Sequence, residues 1–157
     1  MLNFSDTDVA DFGKIVFVPR NHTLPALPDM SLIVLKNNGA YQAVCIDIEI
    51  DAIGDAMKDA CDNLKQALRA YVLSMVDNYN GDAKAAAEGI VNTAFSRGEI
   101  KSQLYAKYLQ AKHQYLINKI AREHKAKSRK EELINAWHRV FQLEPIRLNL
   151  TLAAGIT

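Results

Sequence analysis

The chain has only two cysteines, Cys45 and Cys61, and they do not form a CxxC pair. With neither a disulfide framework nor a thiol pair at metal-binding spacing, a reduced, cytoplasmic setting is the expectation. No apolar run approaches the ~18 residues that a membrane-crossing helix needs. A basic start followed by an apolar stretch, the mark of a signal peptide, is also missing. The four histidines, His22, His113, His124 and His138, fall at no zinc spacing. GxSxG, Walker and GxGxxG loops are absent. Nothing sets a nucleophile beside a base, so no catalytic residue, cofactor or metal is expected.

What the chain does have is a division of charge. Its net charge is only +1, yet residues 1–96 hold 7 basic against 13 acidic residues, a net −6. Residues 97–157 hold 12 basic against 5 acidic, a net +7. Such a split suits an anionic partner for the C-terminal half, or attraction between the halves within a homo-oligomer.

Hydrophobic periodicity supplies the elements. Residues 1–12 read as an acidic, ragged arm and Lys14–Val18 as a short strand ended by Pro19. Met30–Leu35 and Ala40–Ile46 flank Asn38-Gly39, a strong hairpin signal because a type I′ turn needs positive φ at both central residues. From Val44 to Asp51 apolar and polar residues alternate, with Cys45, Asp47, Glu49 and Asp51 on the wet face and a bend near Ile48. After Gly54 the period becomes helical, with Met57, Ala60, Cys61, Leu64, Leu68, Tyr71, Val72 and Met75 on one stripe and Asp55 as its N-cap. Asp82 caps a second helix to about Phe95, interrupted by Gly89. A longer helix follows from Glu99, with Ile100, Leu104, Tyr108, Ala111, Tyr115 and Ile120 near one face. Ser128 and Glu131 form a capping box for a last helix with Leu133, Trp137, Val140 and Phe141 inside. Ile146–Leu152 alternates as a closing strand.

The expected fold class is α+β: a small antiparallel sheet packed on one helix, with a helical insertion before a closing C-terminal strand. The chain reads as a single domain over residues 1–157, with 14–76 plus 145–157 as the sheet-and-helix core and 77–144 as the insertion.

Across about residues 30–75, the Asn38-Gly39 turn, the Tyr41–Cys45 strand, Gly54-Asp55, Ala60, Asn63-Leu64 and Ala67 resemble the small domain of HicB-like antitoxins. The resemblance implies a truncated RNase H-like sheet and a non-enzymatic protein that neutralises a small, basic, toxin-like ribonuclease. Ala56 and Ile46 stand where family members usually have threonine and proline.

Two surfaces are candidates on this reading. Asp47, Glu49 and Asp51, at i, i+2 and i+4, would form a column of carboxylates on a regular strand and meet the basic partner. The same column invites a metal-dependent nuclease reading, ranked last because a metal site needs carboxylates converging from other elements. Lys112, Lys119, Arg122, Lys125 and Arg129, interleaved with Tyr105, Tyr108 and Tyr115, are the candidate nucleic-acid contacts. Duplex DNA ranks below a protein partner, since tyrosines at helical spacing more often line a core. The alternative function is an oligomeric interaction protein that reuses the fold.

Overall fold

The structure is a computed structural model that describes residues 7–18, 26–126 and 147–150. It has an α+β fold. Four strands follow one another in the chain: β1 (Asp8–Phe17), β2 (Met30–Asn37), β3 (Ala40–Cys45) and β4 (Ile50–Gly54). Three helices come next, α1 (Met57–Asn78), α2 (Ala83–Phe95) and α3 (Glu99–Ala126), before β5 (Arg147–Leu150). The sheet order is β4-β3-β2-β1-β5. β1 to β4 pair antiparallel, and β5 lies parallel beside β1, Lys14 opposite Arg147. A parallel return needs a long crossover, which the helical segment provides.

β2 explains the layering. Met30, Leu32 and Val34 join one core cluster with Ile15, Phe17, Ala43 and Cys45, beneath Ala60, Leu64, Leu68 and Val72 of α1. Ile33 and Leu35 join the other, with Phe12, Val44, Ile46, Leu104 and Tyr108. So α1 covers one face of the sheet and α3 returns to cover the other. A strand buried on both faces has a nearly continuous apolar sequence, as Leu32-Ile33-Val34-Leu35 does. Each fully buried aliphatic contributes about 1.5–3 kcal/mol, so this strand anchors both clusters.

The Asn38-Gly39 hairpin forms as expected, with φ of 48° and 81°. β1 is longer than its sequence suggests. Residues 8–12 are strand rather than arm, and a register shift between Val9 and Asp11 marks a β-bulge. The Asp11 carboxylate accepts from the Phe12 amide there at 2.8 Å.

Helix boundaries follow local chemistry, with two corrections. The N-cap of α1 is Ala56, which makes no side-chain cap, so Asp55 does not serve. Gly54 is what the strand-to-helix turn requires: a Cβ there would lie 2.4 Å from the Ala60 nitrogen. Asp82 does cap α2, accepting from the Ala85 amide at 3.1 Å. Gly89 does not interrupt α2; it gives room to α1, since a Cβ would come within 2.8 Å of the Tyr79 hydroxyl. The expected helix with Leu133, Trp137, Val140 and Phe141 lies outside the described residues.

Candidate binding site

The three carboxylates do not form a column. β3 ends at Cys45 and β4 starts at Ile50, and in the turn between them Glu49 has a φ of 54°. That left-handed residue breaks the alternation on which a column depends. Asp47 is therefore turned into the protein. It is half-buried, and its Oδ2 accepts from the Ser31 amide at 2.5 Å while its Oδ1 accepts from the Tyr105 hydroxyl. The expectation that it lies on a wet face is wrong for this physical reason. Glu49 is exposed on the turn, and Asp51 is exposed on β4, where it accepts from the Gln42 side chain at 2.7 Å.

β4 is an edge of the sheet, and Ile53 on it is 62 % exposed. Ile50 and Ala52 pack toward the α1 side, so Asp51 and Ile53 project from the opposite face. The edge is short, and its Ile53 carbonyl already accepts from the Asn63 side-chain amide at 2.8 Å. Both features discourage addition of a further strand. Glu49 and Asp51 are thus exposed acids at the β4 edge with the exposed Ile53, and Asp55 and Asp59 are further exposed acids at the start of α1. This strip can attract a cationic surface and hold it with a small apolar contact. Among the described residues, no three His, Cys, Asp or Glu side chains are placed to hold a metal ion together.

The cysteines are placed for packing. Cys45 is buried, with its Sγ 3.6 Å from the Met30 sulfur, and burial pushes its thiol pKa up to about 12. Cys61 is half-buried against the α1-side cluster, and burial raises its pKa as well, with Asp11 and Asp62 adding to the shift. Tyr105 is raised by burial and by its bond to Asp47. Groups that hold protons more tightly when folded support stability fully below their unfolded pKa and lose that support as pH rises toward the folded one. Equilibrium unfolding should therefore show stability level up to about pH 9 and falling above it. Cys45 alone contributes a decline of up to about 1.4 kcal/mol per pH unit, and Tyr105 acts with the same sign. Urea melts across this range should show a shallower decline in Cys45→Ala; an identical one would contradict the assignment.

The basic candidates do not share an outward face. Helical spacing puts Lys112 and Lys119 on the stripe of Lys101, Leu104, Tyr108 and Tyr115, and both are half-buried. Arg122 is exposed, and its Nε donates to the Asn118 carbonyl at 3.4 Å. The side chains of Lys125 and Arg129 lie outside those described. Tyr108 and Tyr115 both pack edge-on to Phe12, at 5.8 and 5.9 Å. Tyr105 donates to Asp47, so all three tyrosines are drawn toward the sheet.

One basic residue was missed as structural. Lys101 is only 3 % exposed, and its Nζ donates to the carbonyls of Thr93 at 2.7 Å and Ser96 at 3.0 Å. It closes the C-terminal end of α2. Ile100, expected near the same face as Leu104 and Tyr108, is 45 % exposed while those two are buried. A helix end at Ser96 with a lysine a few residues on was the available signal.

No protein-family model matches the chain, and no curated protein or solved structure matches it.

Proposed function

We propose that the protein is a non-enzymatic binding module of the HicB-like, antitoxin type, which holds a small basic protein against the acidic strip at the β4 edge. The observation that carries this reading is the arrangement of Glu49, Asp51 and Ile53: two acids and an apolar residue, all exposed along one edge. Attraction between such a strip and a cationic surface raises the association rate and sets orientation, while the apolar contact adds affinity. A closing strand that rejoins the sheet after the helices also accords with the implied sheet. The second helical layer, α3, is an elaboration beyond that implication.

The metal-dependent nuclease reading loses its premise, because Asp47 faces Ser31 and Tyr105 while Glu49 and Asp51 point elsewhere. Duplex DNA ranks lower for a related reason: Lys112 and Lys119 are half-buried on the sheet-side stripe of α3.

The test is co-purification with the tagged protein from its native host, read by mass spectrometry beside Glu49→Lys/Asp51→Lys. Wild type should retain one small basic protein in near-equal amount, and the charge-reversed variant should lose it. Retention of the same proteins by both would overturn the reading. So would Mg²⁺- or Mn²⁺-dependent cleavage of RNA by wild type that disappears in Glu49→Gln/Asp51→Asn.

A further inference from the structure

Five of the described residues have a positive φ, and four of them are Asn or Gly: Asn38, Gly39, Asn80 and Gly81. Those types enter the left-handed region at little cost. Glu49 is the fifth, with a φ of 54°. A glutamate is less suited to that conformation than glycine or asparagine, so the surrounding structure must impose it.

The neighbours of Glu49 do so. Ile46 and Ile48 would share a face in a regular strand. Instead Ile46 joins the α3-side cluster and Ile48 the α1-side cluster, so the chain turns over between them. The Glu49 amide donates to the Ile46 carbonyl at 3.3 Å, and the Ile46 amide donates to the Ser31 carbonyl at 2.9 Å. Asp47, inside this turn, accepts from the Ser31 amide and the Tyr105 hydroxyl. Ser31 thus pins the turn to β2, and Tyr105 pins it to α3.

The Glu49 side chain is left free. It is exposed and makes no hydrogen bond or ion pair among the described residues. Its Oε1 leans toward Gly98 at the start of α3, where a Cβ on that glycine would lie 3.9 Å away. Asp51, the other acid of the strip, is already engaged by Gln42. A backbone held in a disfavoured conformation, carrying an unused carboxylate, is the pattern of a side chain presented to a ligand.

We infer that Glu49 is the anchor of the partner site, taking a lysine or arginine side chain of the partner, and that Tyr105, acting through Asp47, is its positioning residue. The inference rests on the reading of the β4 edge as the site of a basic protein, and adds which acid makes the specific contact. A carboxylate fixed in advance loses less freedom on binding, which favours affinity.

The test uses the full chain, labelled with ¹⁵N, and a capped peptide of six lysines at low ionic strength. In the wild type the peptide should shift the amides of Glu49, Asp51 and Ile53. Tyr105→Phe, measured where it is fully folded, should weaken that binding by about fivefold, the scale on which an unsupported left-handed residue is disfavoured. The intraresidue amide-to-Hα NOE of Glu49, strong at positive φ, should weaken in the same variant. Tyr105→Phe/Glu49→Asp should recover most of the affinity, because aspartate keeps the charge and enters the left-handed region more readily. A merely structural role for Tyr105 would not be repaired in this way. Glu49→Gly should lose binding while melting at or above the wild-type midpoint. If Tyr105→Phe bound as wild type does, or kept the Glu49 NOE, the inference would fall and the partner reading would stand. Unchanged binding by Glu49→Gly would remove Glu49 as the anchor. No shift at any of the three amides in the wild type would overturn the partner reading itself, and the anchor with it.

Discussion

Replacing Asp47 with alanine is expected to lower the unfolding free energy by about 3 kcal/mol, far more than either neighbouring acid. Both of its oxygens are engaged, Oδ2 by the Ser31 amide and Oδ1 by the Tyr105 hydroxyl. Those contacts join the start of β2, the β3–β4 turn and α3. Hydrogen bonds to a charged group contribute about 1.5–3 kcal/mol each, with the lower end fitting a half-buried site. Alanine removes both bonds and leaves a half-buried amide and phenol without their acceptor. Asp51→Ala and Glu49→Ala, on exposed side chains, should stay within about 0.5 kcal/mol. Tyr105→Phe should remove about half of the Asp47 effect, and the double variant should cost less than the two singles combined. Chemical denaturation of these five variants beside wild type checks this. Equal losses for all three acids would mean that Asp47 is as exposed as its place in the sequence suggests.

That contrast shows what could be read beforehand. The hairpin at Asn38-Gly39, the core stripe Ala60–Leu64–Leu68–Val72 and the cap at Asp82 are local: they rest on a turn dipeptide, a spacing of four and a single side chain. The closing strand was equally plain from alternation. Asp47 was not, because alternation from Val44 to Asp51 continues through a turn that only the positive φ of Glu49 reveals. A period of two predicts faces only while the strand continues. The first residues of β1 were hidden by their acids and Gly13, since strand propensity there is weak and pairing with β2 overrides it. The second helical layer was harder still. β2 is apolar on both faces, which was visible, but nothing local says which later segment returns to cover the second face.

The candidate sites follow the same rule. Glu49 and Asp51 lie on an accessible edge as their type suggests, while Asp47 shares their sequence pattern but not their exposure. In the basic half, composition alone made every lysine look solvated. Position along α3 decides instead: Lys112 and Lys119 fall on the sheet-side stripe, and Lys107 reaches the Thr7 carbonyl.

Lys101 is the extreme case and carries the second large effect. Lys101→Met keeps most of the aliphatic stem and removes the ammonium, at an expected cost of about 2–3 kcal/mol. The ammonium donates to the Thr93 and Ser96 carbonyls and lies 3.1 Å from the Ser96 hydroxyl, all at the C-terminal end of α2. A cation at that end also meets the negative pole of the helix, a contribution of up to about 2 kcal/mol in partly buried settings. Thr93 retains other donors, the amide of Ser96 at 3.1 Å and its hydroxyl at 2.6 Å, so the loss falls mainly on the Ser96 carbonyl and the dipole term. The α2–α3 junction should loosen first, with faster hydrogen exchange at the last turn of α2 than in the sheet. Lys107→Met, which removes a single bond to the Thr7 carbonyl, should cost less than about 1 kcal/mol. Denaturant melts combined with residue-resolved exchange separate the two variants. If Lys101→Met melted with wild type and exchange at α2 did not change, the buried lysine would be a packing residue and not the cap of that helix.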